Sequence, residues 1–151
     1  MERVDEWLGY ARPDVLLMQE TKMSEDQFPH DHFAQLGYES VHFGEGRWNG
    51  VAILSSVGIE EPFEGFADGG EEDSEARIVS AICGGIKVSS VYVPIGREVD
   101  HDHYRYKLSW MARLKGHLEA TCQPDDLLLV GGDYNICPDD RDVWDLSLIH
   151  I

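Results

Sequence analysis

Two apolar runs in this 151-residue chain end in groups able to do chemistry. Val15–Met18 leads through Gln19 into Glu20, and Leu127–Val130 leads through Gly131 and Gly132 into Asp133 and Asn135. A carboxylate at the tip of a buried strand is costly unless it is paired, hydrogen-bonded or bound to a metal. Residues at i and i+2 of a strand share a face, so Asp133 and Asn135 point the same way. Glu20 converges on them if the two strands are neighbours. Donors that are all oxygen favour a hard cation, Mg²⁺ or Mn²⁺, over zinc. Two carboxylates and an amide are too few for a closed cage, which leaves positions for water and substrate oxygens. A plainer reading stands beside this one, because Asp and Asn two residues apart commonly make a turn.

Positioning these groups takes strands and helices, and the chain supplies both. Its length suits one domain. No apolar run approaches the eighteen or so residues that span a bilayer, so no membrane partner is expected. Met1 is followed by charged, helix-like sequence rather than a secretory signal. Cys83, Cys122 and Cys137 are scattered, form no CxxC pair, and read as reduced thiols of a cytoplasmic protein. Glu2 to Ala11 reads as a helix with Val4, Trp7 and Leu8 on one face, ended by Pro13. Val15–Met18 and Leu127–Val130 read as strands buried on both faces. Tyr38–Phe43 and Val51–Leu54 are strands set between glycines. Ile78–Ile82 and Ile86–Val93 flank Cys83-Gly84-Gly85 as a tight hairpin. Glu60 to Glu75 holds eight acids and reads as a mobile loop. A second helix runs from about Tyr104 to Ala120, capped by Asp102, with Leu108, Met111, Leu114 and Leu118 as its apolar stripe.

Charge constrains partners. Twelve basic residues face twenty-nine acidic ones, a formal net of −17. Such a surface repels nucleic acid at long range. It reads as a solvated face suited to solubility or high salt before it reads as a cation-binding surface. His101 and His103 read as a solvated loop rather than a zinc pair. Cys137 lies near Asp133 but has no histidine in a fitting motif, which argues against a thiol nucleophile. Tyr104 and Tyr106 read as packing residues, and Trp48, in a glycine-rich turn, as an exposed ring suited to stacking.

The motifs "PDVLLMQETK", "WNGVAIL", "ARIVSA", "VYVPIG", "DHDHYRYKLSW" and "GGDYNICPDDRDVWD" occur in this order. Together they make the chain from Met1 to Asp145 resemble the exonuclease III family of Mg²⁺-dependent DNA-repair nucleases, in the endonuclease/exonuclease/phosphatase superfamily. "QET" and "GDxN" are only moderately specific; "NGVAIL", "VYVP-G" and "DVWD" in sequence point to this branch. The resemblance implies an α/β fold, part of a four-layer α/β/β/α sandwich of which residues 1–145 supply mainly one mixed sheet plus helices. It implies that Glu20 holds the metal. Asp133 activates the attacking water or helps hold the ion, and Asn135 orients that aspartate and the phosphate. Tyr92 contacts the scissile phosphate, and Lys22, Asn49 and Arg77 lie near the substrate-binding face. Ile95 departs from a position that is usually polar, which touches a substrate-side hydrogen bond rather than the chemistry. The implied reaction is in-line hydrolysis of a phosphodiester in duplex DNA, at abasic sites and 3′ ends, with no obligate protein partner.

The same resemblance implies that family members carry an earlier strand with a site asparagine and a later half with a site histidine and a further aspartate. Neither has a counterpart in this sequence. A lone sheet would then leave an apolar face wet or self-associating. Leu146 to Ile151, "LSLIHI", matches the translation of a common transposon-end sequencing adapter and is set apart from the domain as a non-native tail. Two other readings stay open. One is a phosphoesterase of the same superfamily acting on phosphoinositides, nucleotides or lipids, which the acidity favours. The other is a non-catalytic acidic module that captures cations or basic proteins.

Overall fold

The computed structural model describes residues 2–71, 73 and 75–145; the Leu146–Ile151 tail lies outside them. Helix α1 spans Glu2–Ala11, α2 His30–Gln35 and α3 Asp102–Thr121. The strands are β1 Val15–Gln19, β2 Glu39–Phe43, β3 Val51–Ser55, β4 Glu60–Glu64, β5 Ile78–Cys83, β6 Ile86–Tyr92 and β7 Leu128–Asp133. They form two sheets, an antiparallel one in the order β1-β3-β2 and a mixed one in the order β4-β5-β6-β7. Among the described residues only β6 and β7 pair in parallel, and α3 is the long crossover such a pair requires.

Alternation along the strands builds three apolar layers. Ala52 and Leu54 of β3 face outward onto Leu8 of α1 and Phe33 of α2. Val51 and Ile53 face inward onto Val79, Ala81 and Val88 of the mixed sheet. On that sheet's far side Ile78 and Val91 pack under Trp110 and Leu114 of α3. The order is therefore helix, sheet, sheet, helix. The expected fold class holds, but the expectation of mainly one mixed sheet does not. Three strands belong to a second sheet, and its buried face is already covered.

Other expectations need correction. Glu60–Glu64 is a strand at the sheet edge, paired with β5, although its sequence EEPFE carries no apolar alternation. The cap of α3 is His101, whose Nδ1 accepts from the His103 N–H at 3.0 Å, and not Asp102, which is the helix's first residue. The buried face of α3 is Lys107, Trp110, Leu114 and His117, while Leu108 is exposed. Leu127 and Leu129, expected to be interior, are 68% and 50% exposed, because no described strand pairs with the far edge of β7. The Gly84-Gly85 hairpin turn forms as read, with φ of 57° and 82°. Among the described residues no helix is long and apolar enough to cross a membrane.

Candidate active site

The strands that carry Glu20 and Asp133 are not neighbours in one sheet. β1 lies in the antiparallel sheet and β7 in the mixed sheet, and they meet across the sandwich. Gly131 makes the approach possible: a Cβ there would stand 2.8 Å from Leu17 Cδ1. Ser90 of β6 fastens the contact, accepting from Gln19 Nε2 at 3.0 Å and donating to the Met18 carbonyl at 3.1 Å.

Beyond the strand tips the backbone turns left-handed. Glu20, Lys22, Asn49 and Asn135 have φ of 53°, 52°, 52° and 49°. Such values are uncommon outside glycine and gather at functional sites. They mean that the strand's alternation stops directing the side chains at Glu20 and again at Asn135. The Glu20 and Asn49 turns are stitched together, Thr21 N–H donating to the Gly50 carbonyl at 3.2 Å and Lys22 N–H to the Asn49 carbonyl at 3.0 Å. In the other turn Asp133 Oδ1 accepts from Asn135 N–H at 2.8 Å, and Asn135 Nδ2 donates to the Val93 carbonyl at 2.8 Å. The plain turn reading of Asp133 and Asn135 is thus realised, and it occupies one carboxylate oxygen.

Tyr92 ends β6 directly opposite Asp133. Burial pushes its phenol above the usual value, and the charges of Glu20 and Asp133 push it the same way, with Arg77 opposing. One hydroxyl therefore senses carboxylates from both strand tips. Glu20 is held below the usual carboxylate range, first by its ion pair with Lys22 at 2.7 Å and also by the Tyr92 hydroxyl.

The outer candidates differ. The Lys22 side chain is 54% exposed and ion-paired with Glu20. Asn49 Nδ2 donates to Glu45 at 2.6 Å. Arg77 is committed to the interior: Nε meets Glu75 at 2.5 Å, Nη1 donates to the Tyr92 carbonyl at 3.1 Å, and the guanidinium lies 4.9 Å from the Tyr92 ring centre. That arrangement holds Tyr92 and leaves little of Arg77 for a phosphate.

Sequence reasoning missed Lys107. It sits in phase with Trp110 and Leu114 on the buried face of α3, and Nζ donates to the Asn135 carbonyl. Burial lowers its pKa, which Asp133 partly offsets. A lysine at an apolar helix phase was the available signal. Beside Asp133 and Asn135 runs an open groove of about 1170 Å³, walled by Ile95, Tyr104, Lys107 and Ile136.

Among the described residues no three His, Cys, Asp or Glu side chains are grouped to hold a metal. The donors present are carboxylate and amide oxygens, with Glu20 and Asp133 both exposed. That set fits a hard cation held by few protein ligands and completed by water.

The layered sandwich with acids at its strand tips defines a class before it defines a protein. The chain belongs to the Endonuclease/Exonuclease/phosphatase family, whose model matches residues 1–149. Among curated relatives, exodeoxyribonuclease III of Haemophilus influenzae is 31% identical over 137 residues, 87% of this chain and 51% of its own length. Among solved structures, an AP endonuclease from Archaeoglobus fulgidus matches with a TM-score of 0.90 at 36% identity, over 98% of this chain and 57% of that one. The 3′-5′ exonuclease NExo of Neisseria meningitidis matches with a TM-score of 0.90 at 30% identity, over 99% and 58%. This chain thus spans about half the length of these relatives.

Proposed function

We propose that the chain carries part of the active site of a Mg²⁺- or Mn²⁺-dependent nuclease of the exodeoxyribonuclease III type, which hydrolyses phosphodiesters of duplex DNA at abasic sites and 3′ ends. The observation that carries this reading is the placement of Tyr92, which ends β6 opposite Asp133 while Ser90 of the same strand is hydrogen-bonded to Gln19, the residue before Glu20. The match along nearly the whole chain to an AP endonuclease and a 3′-5′ exonuclease supports the substrate class.

Glu20, with Asp133 and Asn135, would hold the cation. When bound, that ion supplies charge to the phosphoryl oxygen and to the leaving oxygen. The remaining roles belong to the chain. Asp133 keeps one oxygen in its turn and offers the other toward a water proton. Asn135 is fixed through Val93 and Lys107, which holds the Asp133 carboxylate in orientation. Tyr92 donates its hydroxyl to a non-bridging phosphate oxygen, and its raised pKa keeps it protonated for that role. Lys22, released from Glu20 once the glutamate engages a cation, can reach a phosphate. Asn49 stays a weaker substrate contact, and Arg77 acts through Tyr92.

Acidity favours a second reading, a phosphoesterase of small or lipid esters, because a net charge of −17 opposes a polyanion. The test is nicking of an abasic duplex by this sequence carried at full family length. Mg²⁺-dependent cleavage lost in Glu20→Gln and Asp133→Asn is expected. Phosphate release from small esters without nicking would favour the second reading, and cleavage equal to wild type in both variants would refute the site.

A further inference from the structure

Behind Glu20 lies a chain of hydrogen bonds that the chemistry above does not use. Thr21 Oγ1 meets His42 Nε2 at 2.8 Å, and His42 Nδ1 meets Glu25 Oε2 at 2.8 Å. Glu25 Oε1 also meets His30 Nε2 at 3.0 Å, and His30 Nδ1 meets Ser40 at 2.7 Å. The His42 side chain is wholly buried, and its ring stacks on Phe28 with centroids 4.2 Å apart. A carboxylate accepts at Nδ1, so that nitrogen carries the proton and Nε2 accepts from the threonine hydroxyl. Burial lowers the His42 pKa, with Glu25 opposing, which agrees with a neutral ring.

The backbone is cut to fit this arrangement. A Cβ at Gly44 would stand 2.2 Å from the His42 ring, and one at Gly50 would stand 2.1 Å from Thr21 Oγ1. Two glycines thus close the space round the ring and the hydroxyl. Thr21 lies between Glu20 and Lys22, the two residues held left-handed. A strained turn persists only where its surroundings over-determine it. The two backbone bonds to Asn49 and Gly50 fix the turn from one side. The Thr21–His42–Glu25 chain fixes it from the other.

We propose that His42 and Glu25 are positioning residues that act through Thr21 to hold the Glu20 carboxylate ready for its cation. This rests on the metal-holding role given to Glu20 above. Partners behind a metal ligand typically change affinity by about 10–100-fold when removed. Thr21→Val keeps the side-chain shape and removes the donor, while Thr21→Ser keeps the donor. His42→Phe keeps the ring on Phe28 and removes both ring nitrogens.

The experiment measures Mn²⁺ affinity by calorimetry and amide exchange at Thr21 and Lys22 in EDTA, for this chain and its variants. Leu8→Val, a buried change in α1 that touches none of the relay's hydrogen-bonding groups, controls for lost stability. Thr21→Val and His42→Phe should weaken Mn²⁺ at least about ten-fold and speed exchange at both amides. Thr21→Ser and Leu8→Val should stay within about two-fold of wild type on the same scale. If Glu20→Gln loses Mn²⁺ while Thr21→Val binds like wild type, the relay is refuted and the metal site stands. A Leu8→Val loss equal to that of Thr21→Val reduces the relay to general stability and refutes it too. If Glu20→Gln itself binds like wild type, the metal site is wrong and the relay's purpose falls with it.

Discussion

Replacing Gly131 by alanine tests the approach of the two sheets on which the site depends. The added methyl would stand 2.8 Å from Leu17 Cδ1 and 3.4 Å from Leu129 Cδ2. Leu17 is a side-chain end on β1 and can give, so the cost is that of modest overpacking, about 2 kcal/mol. Gly132 is a harder case. A Cβ there would lie 2.0 Å from the Val91 carbonyl oxygen, and φ is +142°. Backbone strain adds to overpacking, for about 4 kcal/mol together. At roughly 3 °C per kcal/mol for a chain of this size, Gly131→Ala should lower the melting temperature by about 6 °C and Gly132→Ala by about 12 °C. Glycines with room should do the opposite. Gly9 in α1 meets nothing within 4 Å, and Gly116 in α3 meets only Asp68 Cβ at 3.6 Å. Alanine at either should raise the melting temperature by about 3 °C through helix propensity. Thermal unfolding followed by circular dichroism reads all four. Melting of Gly131→Ala at or above wild type would mean that β1 and β7 do not meet as described, and the shared site at their tips would go with it; the same result for Gly132→Ala would contradict the β6–β7 pairing at Val91.

Tyr92→Phe should lower kcat about 100-fold with little change in KM in the full-length enzyme, since a donor aimed at the phosphate is lost; unchanged kcat would remove Tyr92 from the chemistry. Lys107→Met should destabilise by about 2 kcal/mol in chemical denaturation, because a charged hydrogen bond to the Asn135 carbonyl is lost. Asp68 is held at about 2, chiefly by its hydrogen bonds from Arg113. A depressed carboxylate contributes stability above its unfolded value near 3.8 and loses it as pH falls toward 2. Wild type should therefore lose roughly 1 kcal/mol more than Asp68→Asn between pH 5 and 2, a figure reduced for solvent at the pair and read from urea midpoints. For duplex DNA, raising salt from 0.1 M to 1 M shortens the screening length from about 10 Å to about 3 Å and should lower KM, the reverse of a basic nuclease. A KM that rises steeply with salt would show that local cations outweigh the net charge.

Much of the scaffold was legible because apolar runs and glycine punctuation mark β1, β3, β5 and β6 directly. β4 was not, since EEPFE is held as a strand by its pairing with β5 rather than by its own pattern. Leu108 misled the reading of α3 because a leucine and a lysine one residue apart fit the helical period equally well, and tertiary packing buried Lys107. Glu20 and Asp133 were singled out from strand-tip position alone, while the approach of their two strands across the sandwich depends on Gly131, which reads in sequence as turn punctuation. Neither the left-handed turns at Glu20 and Lys22 nor the link from Thr21 to His42 leaves a local signal. Glutamate and lysine do not announce positive φ, and the link joins residues 21 apart.

The most direct measurement of the central claim is paramagnetic broadening of the amide spectrum by substoichiometric Mn²⁺. The amides of Glu20, Tyr92, Asp133 and Asn135 should broaden together, and Glu20→Gln should abolish the effect at all four. Broadening confined to the acidic stretch around Asp68, Asp73 and Glu75, or at one strand tip without the other, would contradict a single cation shared between the two sheets.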